Sequence, residues 1–197
     1  EAEALYEKIE WVTGDITDIP SLEIAMNGAT EVYHCAALIS FDPRDRNRLL
    51  KANKEGTRNI VNLCLHKAIP RLYYTSSIAT IGGTGGTVSE NDLWDPVHTN
   101  VYATSKYLAE MEVWRGGQEG LQAVIVNPGV ILGPGFWSSG SGKLFSRVAS
   151  GLKTAPPGGT GFVGVWDVVR ALRALAEHQC MNERFILVSD NLEYAAV

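Results

Sequence analysis

Tyr102-Ala-Thr-Ser-Lys106 opens a helical stretch (101–116), and Ala123-Val-Ile-Val-Asn127 follows it as a β-branched run closed by Pro128-Gly129. This helix-to-strand step decides the fold because it recurs along the chain. Upstream, Ile9-Glu-Trp-Val-Thr-Gly-Asp15, Glu31-Val-Tyr-His-Cys-Ala-Ala37 and Arg71-Leu-Tyr-Tyr-Thr-Ser-Ser77 read as strands, with helices over 19–27 and 44–66. Downstream, a helix over 166–178 precedes the strand Arg184-Phe-Ile-Leu-Val-Ser189. Such alternation predicts an α/β fold, a doubly wound parallel sheet with helices on both faces. Ligands of such sheets sit beyond the carboxyl ends of the strands.

The same helix carries the chemistry. Tyr102, Lys106, Ala109 and Val113 share one stripe, so phenol and ammonium point the same way. Tyrosine is a poor base at its usual pKa of about 10. Ionising it near neutrality takes roughly three units, or about 4 kcal/mol. One lysine charge about 4 Å away supplies energy of that size at an effective dielectric of about 20. Alone, the spacing is equally that of an ordinary helix face.

Other candidates lie just after strands. Ser76 and Ser77 offer a hydroxyl to a substrate oxygen, or simply satisfy turn backbone groups. Asn53 falls on the apolar stripe Leu49, Asn53, Gly56, Thr57, Ile60, Cys64, where an amide needs a partner. That partner is either neighbouring backbone or the support of an active site. Gly14-Asp15-Ile16 and Ala36-Ala37 allow close approach of a flat ligand, and each alone is a generic turn. Pro128 fixes the exit of its strand.

Composition excludes several classes. The 197 residues are 45% apolar and 20% charged, with net charge -5 and no Lys/Arg run. Nucleic acid and anionic membrane are therefore not expected partners. No apolar stretch approaches the roughly 18 residues of a membrane span. The opening residues 1–8 are charged and helix-like, unlike a signal peptide. Cys35, Cys64 and Cys180 are odd in number, show no metal spacing, and imply a reducing, cytoplasmic setting. His34, His66, His98 and His178 are scattered and read as structural or surface residues, so no metal site is expected.

Taken in order, Gly14-Asp15-Ile16-Thr-Asp18, His34-Cys-Ala36-Ala37, Asn53-Lys-Glu-Gly56-Thr57, Thr75-Ser76-Ser77, Tyr102-Ala-Thr-Ser-Lys106 and Asn127-Pro128-Gly-Val-Ile-Leu-Gly133-Pro-Gly135 resemble the extended short-chain dehydrogenases/reductases. Within that NAD-dependent epimerase/dehydratase superfamily the chain most resembles the dihydroflavonol 4-reductase-like branch. The resemblance implies a Rossmann-type sheet and an NAD- or NADP-dependent oxidoreductase acting on a small-molecule ketone or secondary alcohol. It makes Tyr102 the general acid/base. Lys106 lowers the Tyr102 pKa and holds the nicotinamide ribose. Ser77 polarises the substrate oxygen, with Ser76 as the fallback. Asn53 belongs to the active-site support. Asp15 and Ile16 flank the adenine, Ala36 and Ala37 line the dinucleotide, and Pro128 and Val130 pack near the nicotinamide. A homodimer through the helices of Asn53 and Tyr102 is a family-level expectation.

The resemblance also marks departures. The glycine fingerprint and its βαβ unit, about 50 residues, are missing ahead of Glu1, and the chain stops short of the family's C-terminal end. The expected organisation is a partial dinucleotide-binding domain over 1–135 and a partial substrate-binding region, with a returning helix and strand, over 136–197. Glycine-rich stretches at 82–86 and 133–142 read as a mobile loop and a flexible connection. Gly158-Gly-Thr-Gly161-Phe-Val-Gly164 mimics a fingerprint, but Leu152-Lys-Thr-Ala-Pro-Pro157 ahead of it is no central strand. The resemblance implies a substrate-side stretch there, ending in a turn into a helix that Val165-Trp166-Asp167-Val168 fits, with Asp167 as the N-cap. Phe136 and Trp137 suit an aromatic substrate or a core equally. Two rivals remain: a nucleotide-sugar epimerase or dehydratase, and a non-catalytic binding or regulatory protein that keeps the fold.

Overall fold

The computed structural model describes residues 6–82, 86–97, 99–138 and 140–196. The readings placed on residues 1–5, on 83–85 of the glycine loop, on His98 and on Ser139 lie outside the described residues. In chain order the first elements are α1 (Ile19–Ala25), β1 (Glu31–His34), α2 (Arg46–Leu49), α3 (Gly56–His66), β2 (Arg71–Thr75), α4 (Val101–Gln118) and β3 (Gln122–Pro128). Then come β4 (Val130–Leu132), α5 (Gly142–Ala149), β5 (Gly159–Gly164), α6 (Val165–Glu177), β6 (Glu183–Leu187) and β7 (Asp190–Glu193).

Four strands form a parallel sheet in the order β1-β2-β3-β6. Successive residues of a strand face opposite ways, and here both faces are buried. Leu72, Tyr74, Ala123 and Ile125 pack with Ile60, Val61, Cys64, Ala109 and Val113 of α3 and α4. Tyr73, Val124 and Val126 pack with Val168 and Leu172 of α6 on the other face. This is the two-sided burial expected of near-continuous apolar strands. At the α3–α4 crossing, a Cβ on Gly116 would stand 2.6 Å from Val61 Cγ1, so the glycine permits the contact.

The chain leaves this sheet at Pro128-Gly129. It enters a second sheet, β4-β5-β7, in which β4 and β5 run parallel and β5 and β7 antiparallel. The Gly158–Gly164 run is therefore a strand, β5, and not a phosphate loop. Gly164 itself takes the N-cap of α6, without a side-chain bond. Asp167 is displaced from the predicted cap into the first turn, where it pairs with Arg170 at 3.3 Å.

Two further expectations change. Residues 9–15 form no strand: a strand exists only within a ladder, and among the described residues nothing pairs with them. Ile9, Trp11 and Val12 stay exposed there. The helix expected over 44–66 is broken into a 3₁₀ turn (Pro43–Asp45), α2, a π segment (Leu50–Glu55) and α3. The predicted stripe survives the break, since Leu49, Asn53, Gly56, Thr57, Ile60 and Cys64 are all buried.

Candidate active site

The carboxyl ends of β1, β2 and β3 and the first turns of α4 converge on one region. Asn100 caps α4, accepting from the Ala103 N–H at 2.9 Å. Tyr102 thus lies in the first helical turn, near the positive end of the helix, which favours a phenolate. Its ring stands edge-on to Phe41, with centroids 5.6 Å apart. Ser77, which caps the 3₁₀ turn after β2 by accepting from the Ala79 N–H, presents the hydroxyl that acts on the Tyr102 phenol. Burial pushes the Tyr102 phenol above the ordinary tyrosine range, and the Ser77 hydroxyl pulls it back down.

The serine doublet is divided by geometry. Ser76 is buried and donates to Glu110 Oε2 at 2.7 Å. Ser77 is the one whose hydroxyl influences the Tyr102 phenol.

Lys106 is 1% exposed, one turn beyond Tyr102. Its ammonium donates to Tyr74 Oη at 2.7 Å and to the Thr75 carbonyl at 2.8 Å, leaving one of its three hydrogens unassigned among the described residues. Burial pulls its pKa down to about 7, against the raising influence of Glu110 and then Cys35. The ammonium is turned towards Tyr74, and among the described residues it makes no hydrogen bond to Tyr102.

Asn53 touches neither group. It sits on the π segment, a local geometry common at functional sites. Its Oδ1 accepts from the Leu38 N–H at 2.7 Å, and its Nδ2 donates to the Leu38 carbonyl at 3.0 Å and to Ser105 Oγ at 2.8 Å. Ser105 donates in turn to the Tyr102 carbonyl at 2.7 Å. Asn53 therefore braces the segment after Ala36-Ala37 against the turn that carries Tyr102.

The remaining candidates line the approach. Asp15 Oδ1 accepts from Thr17 N at 2.7 Å and Thr17 Oγ1 at 2.8 Å, bonds that hold its carboxyl below the usual range. Ile16 is half-buried and crosses α3 at Gly56, where a Cβ would come within 2.7 Å of Ile16 Cδ1. Ala36 and Ala37 are exposed beyond β1, Pro128 is buried at the end of β3, and Val130 opens β4, half-buried.

Sequence reasoning gave no site role to four buried polar residues here: His34, Thr57, Tyr74 and Glu110. Glu110 accepts from Ser76, Thr80, Asn127, Trp114 and Arg184. Its spacing four residues after Lys106 was the available signal. No group of residues able to hold a metal ion is found among the described residues. No helix among them is long and apolar enough to cross a membrane.

Comparison with known proteins agrees with this architecture. A Synechocystis protein provisionally named a dihydroflavonol 4-reductase is 40% identical over 129 residues, covering 64% of this chain and 37% of that protein. Anthocyanidin reductase of Arabidopsis thaliana is 29% identical over 204 residues, covering 90% and 60%. The crystal structure of gox2253 superposes with a TM-score of 0.85 at 31% identity, covering 93% of this chain and 58% of that one. The chain thus spans between 37% and 60% of the length of these relatives. The NAD dependent epimerase/dehydratase family matches residues 1–186, and with the parallel sheet and the Ser77–Tyr102–Lys106 cluster already described, the chain belongs to that family.

Proposed function

We propose that the chain carries the proton-transfer centre of an NAD(P)-dependent oxidoreductase acting on a ketone or secondary alcohol. The observation that carries this reading is the half-buried Tyr102 one turn from the buried Lys106, with the Ser77 hydroxyl acting on the phenol. NAD or NADP, when bound, supplies or accepts the hydride.

The residues present fit such a group. Lys106 retains an ammonium hydrogen for a ribose hydroxyl. Ala36 and Ala37 present small side chains at the carboxyl end of β1, and Asp15 and Ile16 would flank the adenine in this reading. Pro128 and Val130 supply an apolar wall at the end of β3. In this reading Tyr102 moves the proton at its Oη, and Ser77 hydrogen-bonds the substrate oxygen. Lys106 fixes charge and position, and Asn53 holds the segment after β1 in register. Tyr102, with its pKa raised by burial, is neutral near pH 7 and so serves as the proton donor in the reducing direction.

Residues 1–135 form the dinucleotide-binding part in this proposal, and 136–197 the substrate side, returning through α6 and β6. Phe136 and Trp137 are exposed there and suit a flat apolar substrate. The family and the three free cysteines favour a cytoplasmic enzyme. A homodimer through the helical segments of Asn53 and Tyr102 belongs to the same proposal, and a strict monomer by solution mass contradicts that part.

Fluorescence titration with NADH and NADPH, followed by turnover of Tyr102→Phe, tests the assignment. Loss of turnover with cofactor binding retained supports it. Unchanged turnover overturns it, and binding without turnover in the unmodified chain favours a regulatory protein.

A further inference from the structure

Four buried polar side chains from four elements form a line beneath the candidate site. Lys106 of α4 donates to Tyr74 Oη of β2 at 2.7 Å. The Tyr74 ring packs against that of His34, centroids 5.3 Å apart, and burial raises the Tyr74 pKa while the Thr57 hydroxyl on α3 draws it down. Thr57 Oγ1 lies 2.9 Å from His34 Nε2 of β1. All four residues are at most 3% exposed.

The chemistry of the groups gives the line a direction. An ammonium only donates, so the Tyr74 oxygen accepts from it. The Tyr74 proton then needs its own acceptor, because buried hydroxyls are nearly always satisfied. Thr57 Oγ1, whose hydroxyl acts on the Tyr74 phenol, is the neighbour able to take it, and its own proton would then go to His34 Nε2, 2.9 Å away. An imidazole nitrogen accepts only in the neutral ring. His34 meets that condition: burial, seconded by the Lys106 charge, pulls its pKa down to about 3. Each bond in such a row polarises the next.

We propose that His34, Thr57 and Tyr74 are positioning residues, an oriented hydrogen-bond chain ending on a neutral imidazole that holds the Lys106 ammonium in place and sustains its charge against burial. Its bearing on catalysis rests on the reading of Lys106 as part of the active site. The other groups facing Lys106 are Glu110 on its own helix and Cys35 beyond β1, both acting through space. Tyr102 lies within electrostatic reach of Tyr74. Among the described residues, only Tyr74 and the Thr75 carbonyl hydrogen-bond the ammonium.

The test is a direct titration of Lys106 in the full chain. Lysine is labelled with ¹³C at the ε-methylene, and the Lys106 signal is assigned by its loss in Lys106→Arg. Thr57→Val removes the hydroxyl and keeps the shape, so the Lys106 midpoint falls by about half a unit. Tyr74→Phe lowers it by about one unit, the worth of one hydrogen bond to a charged group. Thr57→Ser restores the original midpoint. An unchanged or raised midpoint in Thr57→Val overturns the proposal. The Thr57 pair decides the matter even where Tyr74→Phe does not fold. If the midpoint falls in Thr57→Val but Lys106→Arg leaves turnover intact, the chain stands and the catalytic reading of Lys106 fails.

Discussion

Glu110 and Arg184 form an ion pair at 3.2 Å in which the glutamate is fully buried. Arg184 also donates to the carbonyls of Glu90 at 2.7 Å and Asp92 at 2.9 Å. One carboxylate on α4 therefore ties the edge strand β6, the loop between Ser77 and Tyr102, and the helix of Lys106 into one unit. Removing one partner of a buried pair leaves the other charge uncompensated, at a cost of about 3 kcal/mol. Glu110→Ala is expected to lose about that much in urea unfolding. Arg184→Ala is expected to lose a similar amount, with the double variant well short of the sum. Additive losses would refute a coupled unit.

Gly129 marks the exit from the first sheet. A Cβ there would collide with the backbone carbonyl of Gly161 on β5. Backbone in a paired strand cannot step aside as a side-chain tip can. Gly129→Ala should therefore cost about 3 kcal/mol, the upper range of overpacking penalties, read as a lowered urea midpoint. Gly120, whose φ is positive but which has open space around its Cβ position, is the control. Substituting alanine there should cost only about 1 kcal/mol of backbone strain.

Much of this was legible in the sequence where periodicity and burial coincide. The Leu49-to-Cys64 stripe, the apolar runs of β2 and β3, and the Lys106-Ala109-Val113 stripe of the Tyr102 helix were all read from the sequence, and their central residues are buried. What escaped was set by partners far along the chain. Nothing local in Ile9–Asp15 tells whether a ladder partner lies beside it. The glycines of β5 give no strand signal, because their pairing with β4 and β7 is a tertiary effect. Asp167 looked like a cap by residue type, but the helix begins at Val165, directly after β5 ends. At the site, the motif residues were legible and their partners were not. Lys106 was assigned to Tyr102, whereas Tyr74, thirty-two positions earlier, receives its hydrogen bond.

His34 gives the fold a defined acid sensitivity. Its folded pKa is about 3 against an ordinary 6.5, so the native state keeps it neutral while the unfolded chain protonates it. The unfolded state thus binds the extra proton between those values, and stability is lost as pH falls from about 6.5 towards 3. His34→Gln lacks this titration. Its deficit in unfolding free energy relative to the parent should shrink by about 2 kcal/mol between pH 7 and pH 5. A constant deficit across that range would show that the imidazole titrates equally in both states.

Ser76 and Ser77 adjoin in sequence but should separate in effect. Ser76 is buried and donates at 2.7 Å to the Glu110 carboxylate, a bond worth about 2 kcal/mol to the fold. Ser77 caps a short 3₁₀ turn and acts on the Tyr102 phenol, so its removal touches the proposed proton-transfer geometry and little of the core. Ser76→Ala is therefore expected to lower the urea midpoint while the surviving folded protein turns over at near-parental kcat. Ser77→Ala is expected to unfold within about 0.5 kcal/mol of the parent, the scale of changes outside the core. Its kcat should drop about 100-fold or more, the usual loss when a donor to the reacting oxygen is removed. Cofactor affinity, read by the same fluorescence titration, stays unchanged in both. If Ser76→Ala instead abolishes turnover and Ser77→Ala does not, the substrate oxygen lies on the other side of the β2 terminus, and Tyr102 takes its hydrogen-bond partner from there.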